Sequence, residues 1–437
     1  MNIILLSGGS GKRLWPLSND VRSKQFIKLF RNGDKHESMV QRVYRQIKRV
    51  DKDATVTIAT SKSQVPAIHN QLGEDVSVCV EPMRRDTFPA IVLAAAYLHD
   101  EMGVKDDEPV VVCPVDPYVG DSYYEAVEQL GKLAGQANLT LMGIEPTYPS
   151  EKYGYIIPKS KDKVSPVKEF KEKPNRATAE KYLEQGAVWN AGIFAFKLSY
   201  LMEKAHELID FENYQDLYNK YDQCEKISFD YAVVEKESSI NVLRYKGEWR
   251  DVGTWNMMSE VMADNVIGNA TLDETTTNTH VINELDIPIL VMGAHDMVVA
   301  ASGDGILVAE KEQSGYMKPY VEKIATDVRY ADKSWGSYQI ISVGENNLVA
   351  KATMKAGHRM SYHSHDLREE VWTILSGVGR VVVDGIERAI QPGSVITLPA
   401  GSKHTIIART NLSVLETQIG SDISVSDKSS YEFGSKE

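Results

Sequence analysis

The chain has 437 residues, enough for two or three domains at about 150 residues each. Apolar residues make up 42% and charged residues 25%, proportions that exclude disordered and fibrous classes. Its 61 acidic against 49 basic side chains leave a net charge of −12, which excludes a sequence-independent grip on nucleic acid or an anionic membrane.

Cys79, Cys113 and Cys224 are widely scattered with no C-x-x-C pair. That argues against a disulfide framework or a cysteine zinc site, and it suits a reducing compartment. No apolar run approaches the roughly 18 residues of a membrane span. The first six residues lack a basic region and stop at a glycine loop, so they read as a buried strand rather than a signal peptide. The expected location is cytoplasmic.

In chain order, residues 3–6 form an apolar strand, and Met39, Val43, Ile47 and Val50 recur at helical spacing. Strands are expected at 56–59, 110–115, 139–144, 189–196 and 240–243, with a helix carrying Ala126, Leu130, Leu133 and Ala134. This alternation predicts an α/β domain with a largely parallel sheet over residues 1–263. Composition shifts at 264, where a Thr- and Asn-rich stretch precedes short strands at 280–282, 289–292, 297–300 and 305–309. Their close spacing predicts a β-helix-like connector over 264–328. Residues 329–423 carry many short strands, with Asp384-Gly385 marking a hairpin, and read as a small barrel or jelly roll. The Ser- and Lys-rich tail, 424–437, is expected to be loose.

Gly8-Gly9-Ser10-Gly11-Lys12-Arg13 follows the first strand directly. Glycines let the backbone turn and aim N–H groups at phosphate oxygens, while Lys12 and Arg13 add charge. The spacing is neither a Walker loop nor the dinucleotide fingerprint. Alone, such a loop is as readily a tight turn. It continues, however, as Leu14-Trp15-Pro16-Leu17 and Lys24-Gln25-Phe26. Further stretches come in order: Glu81-Pro82, Arg85-Asp86-Thr87, Pro114-Val115-Asp116, Tyr153-Gly154-Tyr155, Phe170-Lys171-Glu172-Lys173-Pro174, Trp189-Asn190-Ala191-Gly192, Asp230-Tyr231-Ala232 and Trp249-Arg250-Asp251-Val252-Gly253. This ordered series resembles the sugar-nucleotide pyrophosphorylases, specifically the mannose-1-phosphate guanylyltransferases.

The resemblance implies a Rossmann-like nucleotidyltransferase domain that joins GTP to mannose 1-phosphate, giving GDP-mannose and diphosphate for polysaccharide biosynthesis. By the same resemblance, Asp116 and Asp251 hold one Mg²⁺, which favours one or two carboxylates plus phosphate oxygens. Arg13 and Lys24 would face the triphosphate, together with Leu6, Gly8, Gly9, Gly11 and Lys12. Lys173 would meet the sugar phosphate. Gly154, Glu172 and Asn190 match the sugar contacts, and Glu81 and Arg85 the region that reads base and ribose. The family usually has Asn where this chain has Asp86, and an ionised Asp cannot donate a hydrogen bond. That keeps another nucleotide or sugar phosphate open as substrate. Trp15, Trp249 and Trp255 are expected in packing rather than as stacking platforms. Homo-oligomerisation is admitted.

Gly357, His363, His365, Glu370 and Gly377 follow the first cupin motif, and Gly393, Pro399-Ala400-Gly401 and His404 the second. His363 and His365 alternate on one strand and so share a face. With Glu370 and His404 they form a ligand set for a divalent metal, Zn²⁺ or similar. In bifunctional relatives this domain resembles a type II phosphomannose isomerase. Here the glutamate stands farther from the histidine pair, and the usual Arg- and Tyr-bearing tail is replaced by 424–431. The expectation is therefore metal occupancy, with isomerase activity absent or much weaker than guanylyl transfer. A rival reading is a catalytically idle transferase domain serving a cupin metal or sugar sensor.

Overall fold

The strand Asn2–Leu6 is apolar after its first residue and buried except at its end. It pairs in parallel with Thr55–Ser61 on one side and Pro109–Pro114 on the other, and is the third strand from the edge of a nine-stranded sheet. The computed structural model describes residues 1–9, 12–324, 328–421, 423–424 and 426–433. Contacts group the chain into two units: residues 1–9 with 25–263, and 12–24 with the chain from 264 onward. Among the described residues no helix is long and apolar enough to cross a membrane, and the three cysteines are buried, unpaired thiols.

In the first unit, the sheet is parallel only in part. Val188–Lys197 runs antiparallel between Pro109–Pro114 and Leu139–Ile144, and Val164–Lys171 runs antiparallel to Ile240–Tyr245. The expected largely parallel sheet is thus a mixed one, because apolar runs buried on both faces look alike in either direction. The helix Thr87–Asp100 is apolar nearly all round and fully buried through Phe88–Ala96, as a helix enclosed on all sides must be. The helix Met39–Val50 is amphipathic and starts with a capping box, Ser38 with Gln41.

In the second unit, Val266–Gly268, His280–Asn283 and Met297–Ser302 stack in parallel register, as do Ala270–Leu272 and Ile289–Val291. This is the parallel coil expected of the connector. Asn283 Nδ2 donates to the carbonyls of Asn269 and Ile287, both at 2.8 Å, tying successive turns together. Beyond it, an antiparallel six-stranded sheet and a five-stranded sheet form the cupin. Its inner face is apolar at one end (Trp372, Ile374, Leu412, Val414) and polar at the other (Arg368, Glu370, Glu416, Gln418).

The tail corrects the expectation of a loose segment. Ser429–Tyr431 adds a strand to Tyr362–Ser364. Buried Asp427 accepts hydrogen bonds from the Asp366 and Leu367 backbone N–H groups at 2.9 and 3.1 Å. Polar composition hid this, since an edge strand held by main-chain bonds needs few apolar side chains.

Candidate functional site

Asp116 stands just beyond the strand Pro109–Pro114, where a sheet of this kind presents ligands. The next residues, Pro117–Val119, pair antiparallel with Trp249–Asp251, and Asp251 lies opposite Pro117. Opposed residues in such a ribbon have Cα atoms about 4.5–5.5 Å apart, so Asp116 and Asp251 are neighbours despite their separation in sequence. Both are half-buried. Two carboxylates open to solvent are a donor set suited to a hard cation that also takes phosphate oxygens.

The ribbon adjoins a second cluster. Tyr153 packs on Trp249 and Trp189, with ring centroids 5.4 and 4.9 Å away, and burial together with the charge of Asp251 raises its phenol pKa. Gly154 follows directly. A Cβ there would lie 2.5 Å from Glu172 Oε2 and 3.3 Å from the Asn190 Cβ, so only glycine leaves this approach open. Lys173 Nζ is 3.0 Å from Glu172 Oε1, and this hydrogen bond raises the lysine pKa. Lys173 holds a φ of 42°, a sparsely populated conformation for a side-chain-bearing residue. Asn190 Nδ2 donates to Asp230 Oδ1 at 2.7 Å, and Asn190 Oδ1 accepts from the Gly192 N–H at 3.1 Å. Burial pushes the Asp230 carboxyl up to about 6. Asp230, quoted as part of a motif but given no role by sequence reasoning, thus joins Gly154, Glu172, Lys173 and Asn190.

On the nucleotide side, Leu6 ends the first strand and exposed Gly8 and Gly9 follow, Gly9 at a φ of 122°. Gly11 lies outside the described residues. Glu81 accepts from the Tyr221 hydroxyl at 3.0 Å, and burial raises its pKa. Arg85 Nη2 donates to the neighbouring Asp222 carbonyl, so Glu81 and Arg85 share one turn. Asp86 sits at a φ of 72° and caps the buried helix by accepting from Thr87 N at 2.8 Å. Asp does that as well as Asn, which accounts for the residue found here.

Lys12, Arg13 and Lys24 belong to the second unit. Lys12 pairs with Asp20 at 3.3 Å, Arg13 is exposed, and Lys24 opens the short helix Lys24–Phe26. Their segment is pinned to the coil. Asn19 Nδ2 donates to Asp304 at 2.7 Å, and Ser302 Oγ to the Pro16 carbonyl at 2.7 Å. Arg22 forks onto Glu284 at 2.7 and 2.9 Å while its guanidinium covers Tyr330. Trp15 packs against Gly305 and Trp255 is fully buried, as expected of packing residues.

In the cupin, His363, His365 and His404 are buried, with ligand atoms all within 4.8 Å of one another. Their Nδ1 atoms point at the carbonyls of Ser361 (2.7 Å), Asp427 and Ser402 (2.9 Å), which fixes Nε2 as the unprotonated nitrogen. His404 Nε2 is buried with no hydrogen-bond partner, and burial lowers the His363 pKa to about 3, so that ring stays neutral. Glu370 lies 3.1 Å from His365 Nε2 and 3.6 Å from His404 Nε2. Burial opposes its ionisation, but the two imidazoles beside it overcome that and hold its pKa low. Arg368 Nη2 lies 3.2 Å from His365 Nε2, a contact that a metal ion would replace. An orphaned nitrogen among three oriented imidazoles fits a divalent ion.

A cavity of about 250 Å³ opens beside the histidines, and Lys333, Arg368, Glu416 and Lys428 are among its walls. Glu416 is fully buried, which pushes its pKa up to about 7, and it accepts from the Tyr338 hydroxyl at 2.9 Å. Sequence reasoning passed over these residues. The signal was the alternation Leu412, Val414, Glu416, Gln418, one inward face that changes from apolar to polar.

Residues 2–266 match the nucleotidyl transferase family, and 322–432 the mannose-6-phosphate isomerase C-terminal family. A mannose-1-phosphate guanylyltransferase of Escherichia coli strain K12 is 29% identical, with 97% of this chain and 96% of that protein covered. A xanthan biosynthesis protein, XanB, of Xanthomonas campestris pv. campestris is 30% identical over 97% and 96%. Among solved structures, a Thermus thermophilus protein titled a mannose-1-phosphate geranyltransferase superimposes with a TM-score of 0.61 at 27% identity, over 74% of this chain and 98% of that one.

Proposed function

The chain belongs to the nucleotidyl transferase family and is a nucleotidyltransferase, and we propose that it joins GTP to mannose 1-phosphate. One oxygen of the sugar phosphate attacks the α-phosphorus of GTP, the bond to the β-phosphate breaks, and pyrophosphate leaves. A phosphomonoester is already ionised near neutral pH, its second pKa being about 6, so no general base is required. The protein's task is alignment and charge neutralisation. Asp116 and Asp251 would hold Mg²⁺, which supplies charge neutralisation to the phosphates when bound. Lys173 meets the sugar phosphate, and Glu172, Asn190 and Asp230 orient its hydroxyls where Gly154 leaves room. Lys12, Arg13 and Lys24 neutralise the triphosphate delivered over Gly8, Gly9 and Gly11, while Glu81 and Arg85 hold base and ribose. Unpaired cysteines and the acidic balance suit work in the cytoplasm.

The observation that supports this reading is the register of Asp251 opposite Pro117, which brings the backbones of Asp116 and Asp251 close to each other and to the Gly154 cluster. The test is pyrophosphate release across a panel of nucleoside triphosphates and hexose 1-phosphates. GTP with mannose 1-phosphate is expected to lead by at least about tenfold in kcat/KM, and another pair in front would overturn the assignment.

A second activity is favoured by the cupin cavity. Turning mannose 6-phosphate into fructose 6-phosphate moves a proton from C2 to C1. That requires a group titrating near neutrality and cations for the phosphate. Glu416 at about 7, with Arg368, Lys333 and Lys428 around it, supplies both kinds of group. A coupled assay for fructose 6-phosphate is expected to show turnover that His365→Ala removes. Absence of turnover in metal-replete protein would leave the cupin as a binding domain.

A further inference from the structure

A cavity of about 580 Å³ lies in the first unit, away from the Gly154 cluster. One wall is the helix Ser122–Leu133, contributing Ser122, Glu125 and Gln129; the other is the end of the strand Ile240–Tyr245 with the turn at 161–163. Four cations line it, Lys161, Lys163, Arg244 and Lys246, against the single carboxylate of Glu125. On a chain of net charge −12 this is a local inversion of sign.

The three lysines are little compensated. Lys163 Nζ meets only a neutral partner, Gln129 Oε1, at 2.8 Å, and Lys246 lies 3.9 Å from Glu145, at the limit of an ion pair. Lys161 has no ion-pair partner among the described residues. Arg244 is a built component: its side chain is nine-tenths buried and fixed by Glu145 at 3.1 Å and the Gly186 carbonyl at 2.9 Å. Its Nε is buried with no hydrogen-bond partner. The volume is that of a small-molecule site, and Tyr245, whose hydroxyl is 3.1 Å from Ser122 Oγ, adds an aromatic wall.

We infer that this cavity binds an anion carrying a diphosphate group, at a site separate from the transfer centre. Three exposed lysines around one cavity, backed by the fixed charge of Arg244, are more than a single phosphate engages and match adjacent phosphates.

Calorimetric titration of the full chain with inorganic pyrophosphate tests this, comparing wild type with Lys161→Gln/Lys163→Gln/Lys246→Gln. The three lysines are exposed, so the variant is expected to fold, and an unchanged unfolding temperature checks that. The expected result is one binding event per chain fewer in the variant, or that event weakened at least tenfold. Equal stoichiometry and affinity overturn the inference. The readout is a difference at these lysines, so it is separable from failure of the transferase assignment. Charge reversal at Lys163 alone, Lys163→Glu, gives the same loss if the triple variant is unstable. A parallel titration with GDP separates the carriers of the diphosphate: tighter than pyrophosphate for a nucleoside diphosphate, weaker for free diphosphate.

Discussion

Asp116 and Asp251 are half-buried at a two-stranded ribbon, whereas His363, His365 and His404 are buried inside a barrel with each Nδ1 tied to a carbonyl. The proposed metals account for the contrast. Mg²⁺ would come with phosphates and keep several waters, so two open carboxylates would suffice. A resident ion held by imidazoles needs the rings oriented and neutral beforehand, and burial with backbone acceptors achieves that. On the proposed reading, one chain would contain a site completed by its substrate and another completed by its fold.

The largest effect is expected at the open site. Asp116→Asn and Asp251→Asn each remove one charge at nearly constant volume, and pyrophosphate release should fall at least about 1000-fold while the fold survives. Near-wild-type turnover at saturating Mg²⁺ would dissolve the contrast on that side. The closed site should lose its ion instead of its rate: His365→Ala is expected to weaken metal binding by about 10–100-fold, read by elemental analysis of protein purified without chelator, with transfer activity unaffected. Equal metal content in variant and wild type would show that the imidazoles are only polar packing.

The smallest effect concerns Asp230, which lies between these extremes. Its folded pKa of about 6 stands above the ordinary 3.8, so the folded chain binds the proton more tightly than the unfolded one. Asp230 therefore lowers stability at pH 7, and the penalty fades as pH falls from 6 towards 4. Asp230→Asn should gain on the order of 1–2 kcal/mol at pH 7 and nothing at pH 4, measured by denaturant midpoints. A gain independent of pH would rule out ionisation as its cause.

Much of this was legible in the sequence because spacing carried it. Strand–glycine–helix order, the motif aspartates and the histidines at 363, 365 and 404 are local patterns, and local patterns survive without coordinates. The hidden part depends on pairing across the chain. Asp251 opposite Pro117 is a matter of ribbon register, and Asp230 meets Asn190 only because a π-helical turn, Asp230–Val234, closes on the sheet. Glu416 reads as an ordinary surface charge until its strand is seen to keep one face inside the barrel. The order of the tail is hidden for the same reason, since its strand is held by backbone partners.

The anchoring of residues 12–24 bears on how such a chain can be cut or shuffled. A family boundary at 266 invites separation of the transferase from the remainder of the chain. Yet Asn19 relies on Asp304, Pro16 on Ser302 and Arg22 on Glu284, partners that all lie beyond that boundary. A fragment ending there would keep Lys12, Arg13 and Lys24 but lose the contacts that hold them, and each stranded buried polar group costs on the order of 1–3 kcal/mol. The coil thus serves as the floor for residues 12–24, and a fragment that keeps these three contacts extends at least through Asp304.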